Sequence, residues 1–377
     1  MYLGIGLGIT RLSGVLGFNP ASLFANGEEG AWYDPSDLTT LYQDAAGTTP
    51  VTAAGQPVGL MLDKSKGLTL ESELVTGDSS DFTSSLGSWT YYTGATATAS
   101  GGAFTISAQG TYVINSLLTI GKTYRVSFDW TRTADTIGLF VGDRAQASQI
   151  RIPTGNGLLS GTYAGYIQCS IAAAAIGMYS GGGLATIDNI SIRELPGNHA
   201  TQSTSTARPT LQTSGGLYYL DFDGVDDSLR AIFSADQAQP NTISAAFKFD
   251  VASRFEFMVD GYSARRHTLY KSSTNLGLFA GAAIFDSSAI GTVERVAFGY
   301  LNGASSDLRV DGLSVATGNT ASQLWGGVTL GANSSPTAAS QADCRIYGFV
   351  GVNRTLTAGE IDDVEAYLAA KSGVTLP

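Results

Sequence analysis

Tyr124-Arg-Val-Ser-Phe-Asp-Trp130 alternates without a break: Tyr124, Val126, Phe128 and Trp130 are apolar, while Arg125, Ser127 and Asp129 are polar. Successive side chains of a strand point to opposite faces, so the stretch reads as a strand with one face buried and one in water. Short runs of the same kind surround it at 104–106, 112–114, 150–152, 176–179 and 187–192, separated by Gly, Asn and Ser. Strands this short at this spacing predict an antiparallel sandwich. A second series runs through 218–222, 243–249, 255–259, 296–300, 308–315 and 345–352, with a hairpin turn at Asp311-Gly312. The fold class is therefore all-β, with two antiparallel β-sandwich (jelly-roll) domains. A single helix is expected near the C-terminus. Thr357-Ala-Gly-Glu360 has the form of a capping box, Ile361, Val364 and Leu368 follow at helical spacing, and Lys371 and Gly373 mark the end.

Composition supports this reading and excludes others. At 377 residues the chain exceeds what one core usually serves. Charged residues make up 14%, and 47 glycines suit strands joined by tight turns. A net charge of −11 with no local cluster of Lys and Arg repels phosphates, so nucleic acid is excluded as a partner. Cys169 and Cys344 fall in different sandwiches, where each is expected to be a small buried hydrophobe and not part of a disulfide framework.

The first residues, Met1-Tyr-Leu-Gly-Ile-Gly-Leu-Gly-Ile9, have no basic residue before Arg11 and carry glycine at alternate positions. They make a poor signal peptide and are too short to span a bilayer, so the reading is a soluble protein made in a cytoplasm, with no membrane insertion. The glycine face would let another backbone approach closely, so 1–27 reads as an extended attachment arm; a frayed terminus is the alternative. Residues 28–70 are punctuated by turns and too poor in apolar residues to form a core alone. The Ser/Thr-rich stretch 199–210 reads as a flexible linker.

Three resemblances refine the organisation. Leu220-Asp-Phe-Asp-Gly-Val-Asp-Asp-Ser228, Thr242-Ile-Ser-Ala-Ala-Phe-Lys248, Leu308-Arg-Val-Asp-Gly-Leu-Ser-Val-Ala-Thr317 and Cys344-Arg-Ile-Tyr-Gly-Phe-Val350, the last leading into Leu356-Thr-Ala-Gly-Glu-Ile361, occur in the order seen in laminin-G-like, concanavalin-A-like domains. Residues 217–365 resemble that family. Glu73-Leu-Val-Thr-Gly-Asp78, Trp89, Gly121-Lys-Thr-Tyr-Arg-Val-Ser-Phe-Asp129 and Ile187-Asp-Asn-Ile-Ser-Ile-Arg-Glu-Leu195 give 73–195 a likeness to the carbohydrate-binding-module-like jelly rolls of the galactose-binding-like superfamily.

Gly30-Ala-Trp-Tyr-Asp-Pro-Ser-Asp37, Thr48-Thr-Pro-Val51, Gly55-Gln-Pro-Val-Gly59 and Leu62-Asp-Lys-Ser65 are similar to the opening of phage and prophage structural proteins with a laminin-G-like body. In those proteins the Leu-Asp-Lys-Ser stretch can lead almost directly into segments like Gly197-Asn-His-Ala-Thr-Gln202 and Ala207-Arg-Pro-Thr-Leu211. The resemblance implies an arm at 1–27, a discontinuous sandwich of 28–72 plus 196–377, and an inserted jelly roll at 73–195. Insertions of this kind succeed where the two ends lie close together on a surface.

The resemblance also implies a function. The expectation is a bacteriophage virion protein, a tail receptor-binding or fibre-type subunit assembled in the host bacterial cytoplasm. It would be a homotrimer, bound to other virion proteins through its arm, recognising a host surface glycan or pilus. No heptad run supports a coiled-coil trimer, so any oligomer would use sandwich faces and the arm. A capsid decoration or head-fibre protein would use the same modules. A glycan-degrading tail enzyme would need two carboxylates on a concave face, and no Glu-x-Asp-x-x-Glu strand motif occurs.

No catalytic residue is expected, since His199 and His267, the only histidines, lack recognisable partner motifs. Gly121-Lys122-Thr123 has Ser116 where a phosphate-binding loop requires glycine and is followed by a strand, so it reads as a turn. Two groups are candidates for sugar binding: Trp89, Tyr91 and Tyr92, beside Gly and Ser turns, and Tyr262, Arg265 and Arg266 in a polar loop. Trp130 shares the apolar face of its strand and is expected in the core. Asp221, Asp223, Asp226 and Asp227 are candidate ligands for Ca2+, the one cofactor the resemblances imply; the alternative is a solvated turn at Asp223-Gly224.

Overall fold

The structure, a computed structural model, describes residues 17–94, 96–99, 101–106, 110–114, 117–132, 137–141, 148–152, 160–169, 176–180, 184–335 and 341–377. For 92–93, 110–113, 137–141, 148–152, 176 and 178–180 it describes the backbone alone. The chain is all-β, with antiparallel sheets and a long C-terminal helix.

The alternation at 124–130 is realised in the strand Thr123–Arg132, where Tyr124, Val126, Phe128 and Trp130 are buried and the residues between them are partly exposed. This strand lies between Ser160–Gln168 and Ala185–Leu195 in a five-stranded sheet, and a second five-stranded sheet is built from strands between Thr90 and Ser180. Val75, Phe82, Trp89, Phe104, Phe128, Trp130, Cys169 and Ile192 belong to one apolar cluster.

The other two sheets combine distant parts of the chain. In the eight-stranded sheet the long strand Asp343–Val352 pairs with Asn241–Phe249 on one edge. Its other edge is shared: Asp223↔Asp343 through Leu220↔Ile346 on its first half, Tyr33↔Phe349 through Gly30↔Val352 on its second. Gly30 sits at φ +144°, and a Cβ there would fall 2.0 Å from the Gly351 carbonyl oxygen, so only glycine allows that approach. In the nine-stranded sheet Leu41–Tyr42 and Leu60–Met61 are continued by Ala200–Thr201 and Leu229–Gln237. The core between these two sheets holds Tyr33, Leu41, Val58 and Met61 together with Phe222, Phe247, Trp325 and Phe349. Residues 28–70 look coreless in sequence because their core is supplied from far along the chain.

Asp63 ties the ends of these segments together. Its buried carboxylate accepts from the backbone N–H of Trp32 (2.8 Å), Ser65 (2.8 Å) and Asn198 (2.7 Å) and from Ser65 Oγ (2.7 Å). The Asp63 N–H donates to His199 Nδ1 (2.8 Å), which makes the ring's Nε2 the protonated nitrogen facing the Leu195 carbonyl at 3.2 Å. Burial holds the pKa of His199 below its usual value.

Two expectations are corrected. The 199–210 stretch is not a flexible linker: His199 is fully buried, Ala200–Thr201 is a strand, and the Arg208 guanidinium donates to the carbonyls of Gln202, Ser203 and Gln43. Its hydroxyl-rich composition conceals backbone groups satisfied by side chains. Nor is all of 1–27 an extended arm. Pro20–Phe24 forms a 3-10 turn capped by Asn19, and Leu23 and Phe24 are buried in the cluster that receives the helix. The glycine-alternating stretch 3–9 lies outside the described residues.

The helix Ala358–Ser372 starts at the capping box, both of whose reciprocal hydrogen bonds are present, and ends at Gly373 with φ +75°. Val364 and Leu368 share a cluster with Phe298 and Tyr347 of the eight-stranded sheet.

Candidate functional site

The strands Glu256–Asp260, Thr268–Ser272, Asn275–Phe279 and Ala283–Ala289 are neighbours in the nine-stranded sheet. Their register, Phe257↔Tyr270, Tyr270↔Gly277 and Gly277↔Phe285, aligns four positions in one row. The neighbouring pairs Glu256↔Lys271 and Lys271↔Leu276 point inward, where Leu276 joins the core, so the row faces outward. Ring centroids are 4.9 Å apart for Phe255–Phe257, 5.5 Å for Phe257–Tyr270 and 5.6 Å for Tyr270–Phe285. Gly277 is what lets the rings close: a Cβ there would lie 2.7 Å from Phe285 and 2.8 Å from Tyr270. The middle rings shield one another, while Phe255 is 50% and Phe285 41% exposed at the ends. Sequence reading missed this row. Its signal was Phe255-Glu-Phe257, Tyr270 and Phe285, with glycine at the crossing point.

Arg266 borders the row, but it is not a free donor. It pairs with the fully buried Asp260 (Nη2–Oδ2 2.7 Å, Nε–Oδ2 3.0 Å), and its guanidinium lies 5.0 Å from the Phe257 ring and 5.1 Å from the Phe279 ring. Asp260 also accepts from Thr268 Oγ1, Gly261 N and Ser334 N, so this pair fixes the loop that follows it. Arg265 instead forms an exposed ion pair with Asp236 at 2.5 Å, an arrangement that adds little stability. Tyr262 turns elsewhere, onto the wall of a cleft with Arg230, whose guanidinium is 4.7 Å from its ring. The three residues share a loop without sharing a surface.

The other aromatic candidates also separate. Trp89 is 3% exposed, its Nε1 donates to the Ser79 carbonyl (2.8 Å) and its ring packs near Phe104, so it is a core residue and not a stacking surface. Tyr91 is 55% exposed on the strand Thr90–Gly94, with its hydroxyl on the Gly94 carbonyl. The Tyr92 side chain lies outside the described residues. Trp130 is buried, as its alternation requires.

Asp223, Asp226 and Asp227 bring carboxylate oxygens within 4.8 Å of one another, and Asp221 does not join them; its strand position pairs with Thr210 and Arg345. These three could hold Ca2+. They also serve their own turn: Asp223 Oδ1 accepts from Val225 N (2.8 Å), and Asp227 Oδ2 accepts from Asp223 N (3.1 Å). Burial first, then the neighbouring acids, push Asp227 up to about 7.

His267 is buried against Trp325, with its Nε2 donating to the Gln323 carbonyl (2.9 Å) and its Nδ1 without a partner. Desolvation lowers its pKa from 6.5 to about 4. A histidine depressed in the folded state takes up its proton first in the unfolded chain, so stability is lost as pH falls from about 6.5 towards 4. The loss should reach about 3 kcal/mol. Asp227, raised, works the other way over the same range, and His199 works the same way. The difference in slope between the parent and His267→Asn, which keeps a donor, therefore measures it by urea unfolding at pH 7 and pH 4.5; an unchanged slope in that variant would refute the assignment.

The chain matches no family model and no curated protein. Among solved structures it is similar to Trypanosoma rangeli sialidase in complex with the inhibitor DANA, with TM-score 0.35 and 15% identity over 45% of this chain and 29% of that one. A mutant of the same sialidase displaying trans-sialidase activity aligns at TM-score 0.34 and 16% identity, over 45% of this chain and 30% of that one. The chain thus spans less than a third of the sialidases it aligns with. The tandem CBM22-1–CBM22-2 domain of Paenibacillus barcinonensis Xyn10C aligns at TM-score 0.28 and 8% identity, over 80% of this chain and 100% of that one.

Proposed function

We propose that this chain is a recognition protein and not an enzyme, and that it binds a glycan through the aromatic row of its nine-stranded sheet. The observation that carries the reading is the pair of exposed rings, Phe255 and Phe285, at the ends of a continuous aromatic array. Large apolar groups held at a surface mark binding sites, and aromatic faces suit the C–H faces of sugar rings. In the fuller proposal the protein is a phage virion subunit of the tail receptor-binding or fibre type, trimeric, attached through its arm and directed at the host surface. The phage-like motifs between Gly30 and Ser65 support that part. We further propose that 73–195 is an inserted unit within a body of 28–72 and 196–377; the strand pairings of Gly30–Tyr33 and Leu60–Met61 with later segments support it.

The test is a glycan array, followed by competition for adsorption to cells of the bacterial host. Phe255→Ala combined with Phe285→Ala should weaken glycan binding about tenfold, since each ring contact contributes roughly 0.5–1.5 kcal/mol. The melting temperature should change little, because both rings are half exposed. A folded double variant that binds as tightly as the parent would sink the proposal.

A further inference from the structure

Where the strand Ser160–Gln168 approaches the strand Leu229–Gln237, a cleft of about 220 Å³ opens, lined by Gln168, Thr201, Gln202, Ser203, Arg230, Ile232 and Tyr262. It is smaller than the roughly 300 Å³ at which pockets for drug-sized ligands begin, so it suits one ring. Its lining contains one cation and no acid, in a chain of net charge −11. Among the described residues Arg230 has no carboxylate partner: its Nη2 donates to the Ser334 carbonyl (2.8 Å), and its Nε has no acceptor. Gln168 Nε2, on the opposite wall, also lacks one. The Tyr262 ring, 4.7 Å from the guanidinium, holds the fork in place. Burial without a counter-charge also lowers the pKa of Arg230. A half-buried guanidinium is normally paired; Arg230 Nε and Gln168 Nε2 are themselves closed off from solvent, so it is the remaining atoms of these two side chains that line the cleft and can meet an acceptor or donor there.

We infer that this cleft binds a sugar bearing a carboxylate, of the uronic acid class, with Arg230 holding the carboxylate and Gln168, Thr201 and Gln202 meeting the ring hydroxyls. A guanidinium without a carboxylate partner suits an anionic carboxylate, and the flanking amides and hydroxyls supply both donors and acceptors. This site is separate from the aromatic row and stands or falls without it.

Titration calorimetry on the full chain with methyl glucuronide, methyl glucoside and acetate tests the assignment. Methyl glucuronide should bind at least tenfold more tightly than the neutral glucoside. Arg230→Gln should weaken it at least tenfold, and Gln168→Ala, on the other sandwich, severalfold. Phe255→Ala with Phe285→Ala should leave it unchanged, which separates failure here from failure of the glycan reading above. Equal binding of glucuronide and glucoside, no binding of either, or a folded Arg230→Gln variant that binds as the parent would each overturn the site. Acetate binding as tightly as glucuronide would overturn the sugar class. Should Arg230→Gln not fold, undiminished binding by Gln168→Ala would count equally against it.

Discussion

Replacing Asp63 with alanine should lower the unfolding free energy of the protein by about 3–5 kcal/mol, among the largest effects of any single substitution. Three backbone N–H groups and the Ser65 hydroxyl converge on this one buried carboxylate, and deletion leaves them without acceptors where water does not reach. Asp63→Asn should cost nearly as much, because an amide presents a donor where one oxygen now accepts from both Ser65 Oγ and Asn198 N. Calorimetry should show the melting temperature falling by about 10 °C, given roughly 2–4 °C per kcal/mol for a body of this size. An Asp63→Asn protein melting within about 2 °C of the parent would show that the carboxylate does not hold these segments together.

The second large effect is expected at Lys271. Its ammonium is fully buried 2.5 Å from Glu256 Oε2, also fully buried, lies 4.3 Å from the Phe249 ring and donates to the Val251 carbonyl. Lys271→Met should destabilise by about 3–5 kcal/mol, since it strands the Glu256 charge in the core; Arg254, 3.7 Å away and partly in solvent, compensates little. Combining it with Glu256→Gln should restore much of the loss, because a neutral pair asks far less of its surroundings. Urea unfolding of the two single variants and the double variant gives the coupling directly. Additive losses would mean that the two charges do not depend on each other.

The same pair explains where sequence reading stopped. The strand containing Tyr124 through Trp130, the Asp311-Gly312 turn and the Thr357–Glu360 capping box were legible because each is decided by a few neighbouring residues. At the turn, both Asp311 and Gly312 take positive φ, as such a hairpin requires. The strand Thr268–Ser272 was not legible: Lys271 puts a charge on its inner face, and only its partner on the neighbouring strand makes that acceptable. Asn275–Phe279 and Ala283–Ala289 were hidden by Gly277 and a run of small polar residues. The aromatic row is assembled across these strands and so escaped with them.

The candidate sites divide in the same way. Asp223, Asp226 and Asp227 come together because a turn joins neighbours, whereas Asp221 sits back in its strand. Adjacency misled at Tyr262, Arg265 and Arg266, each of which answers to a different partner. Arg230 and Gln168 carry no motif and meet only in three dimensions.

The divided edge of Asp343–Val352 constrains how the protein can be made. Gly30–Tyr33 leaves the ribosome more than three hundred residues before its pairing partner does. Until then Trp32 and Tyr33 have no sheet to join, and pairings of such high contact order form slowly and leave apolar strands open to association.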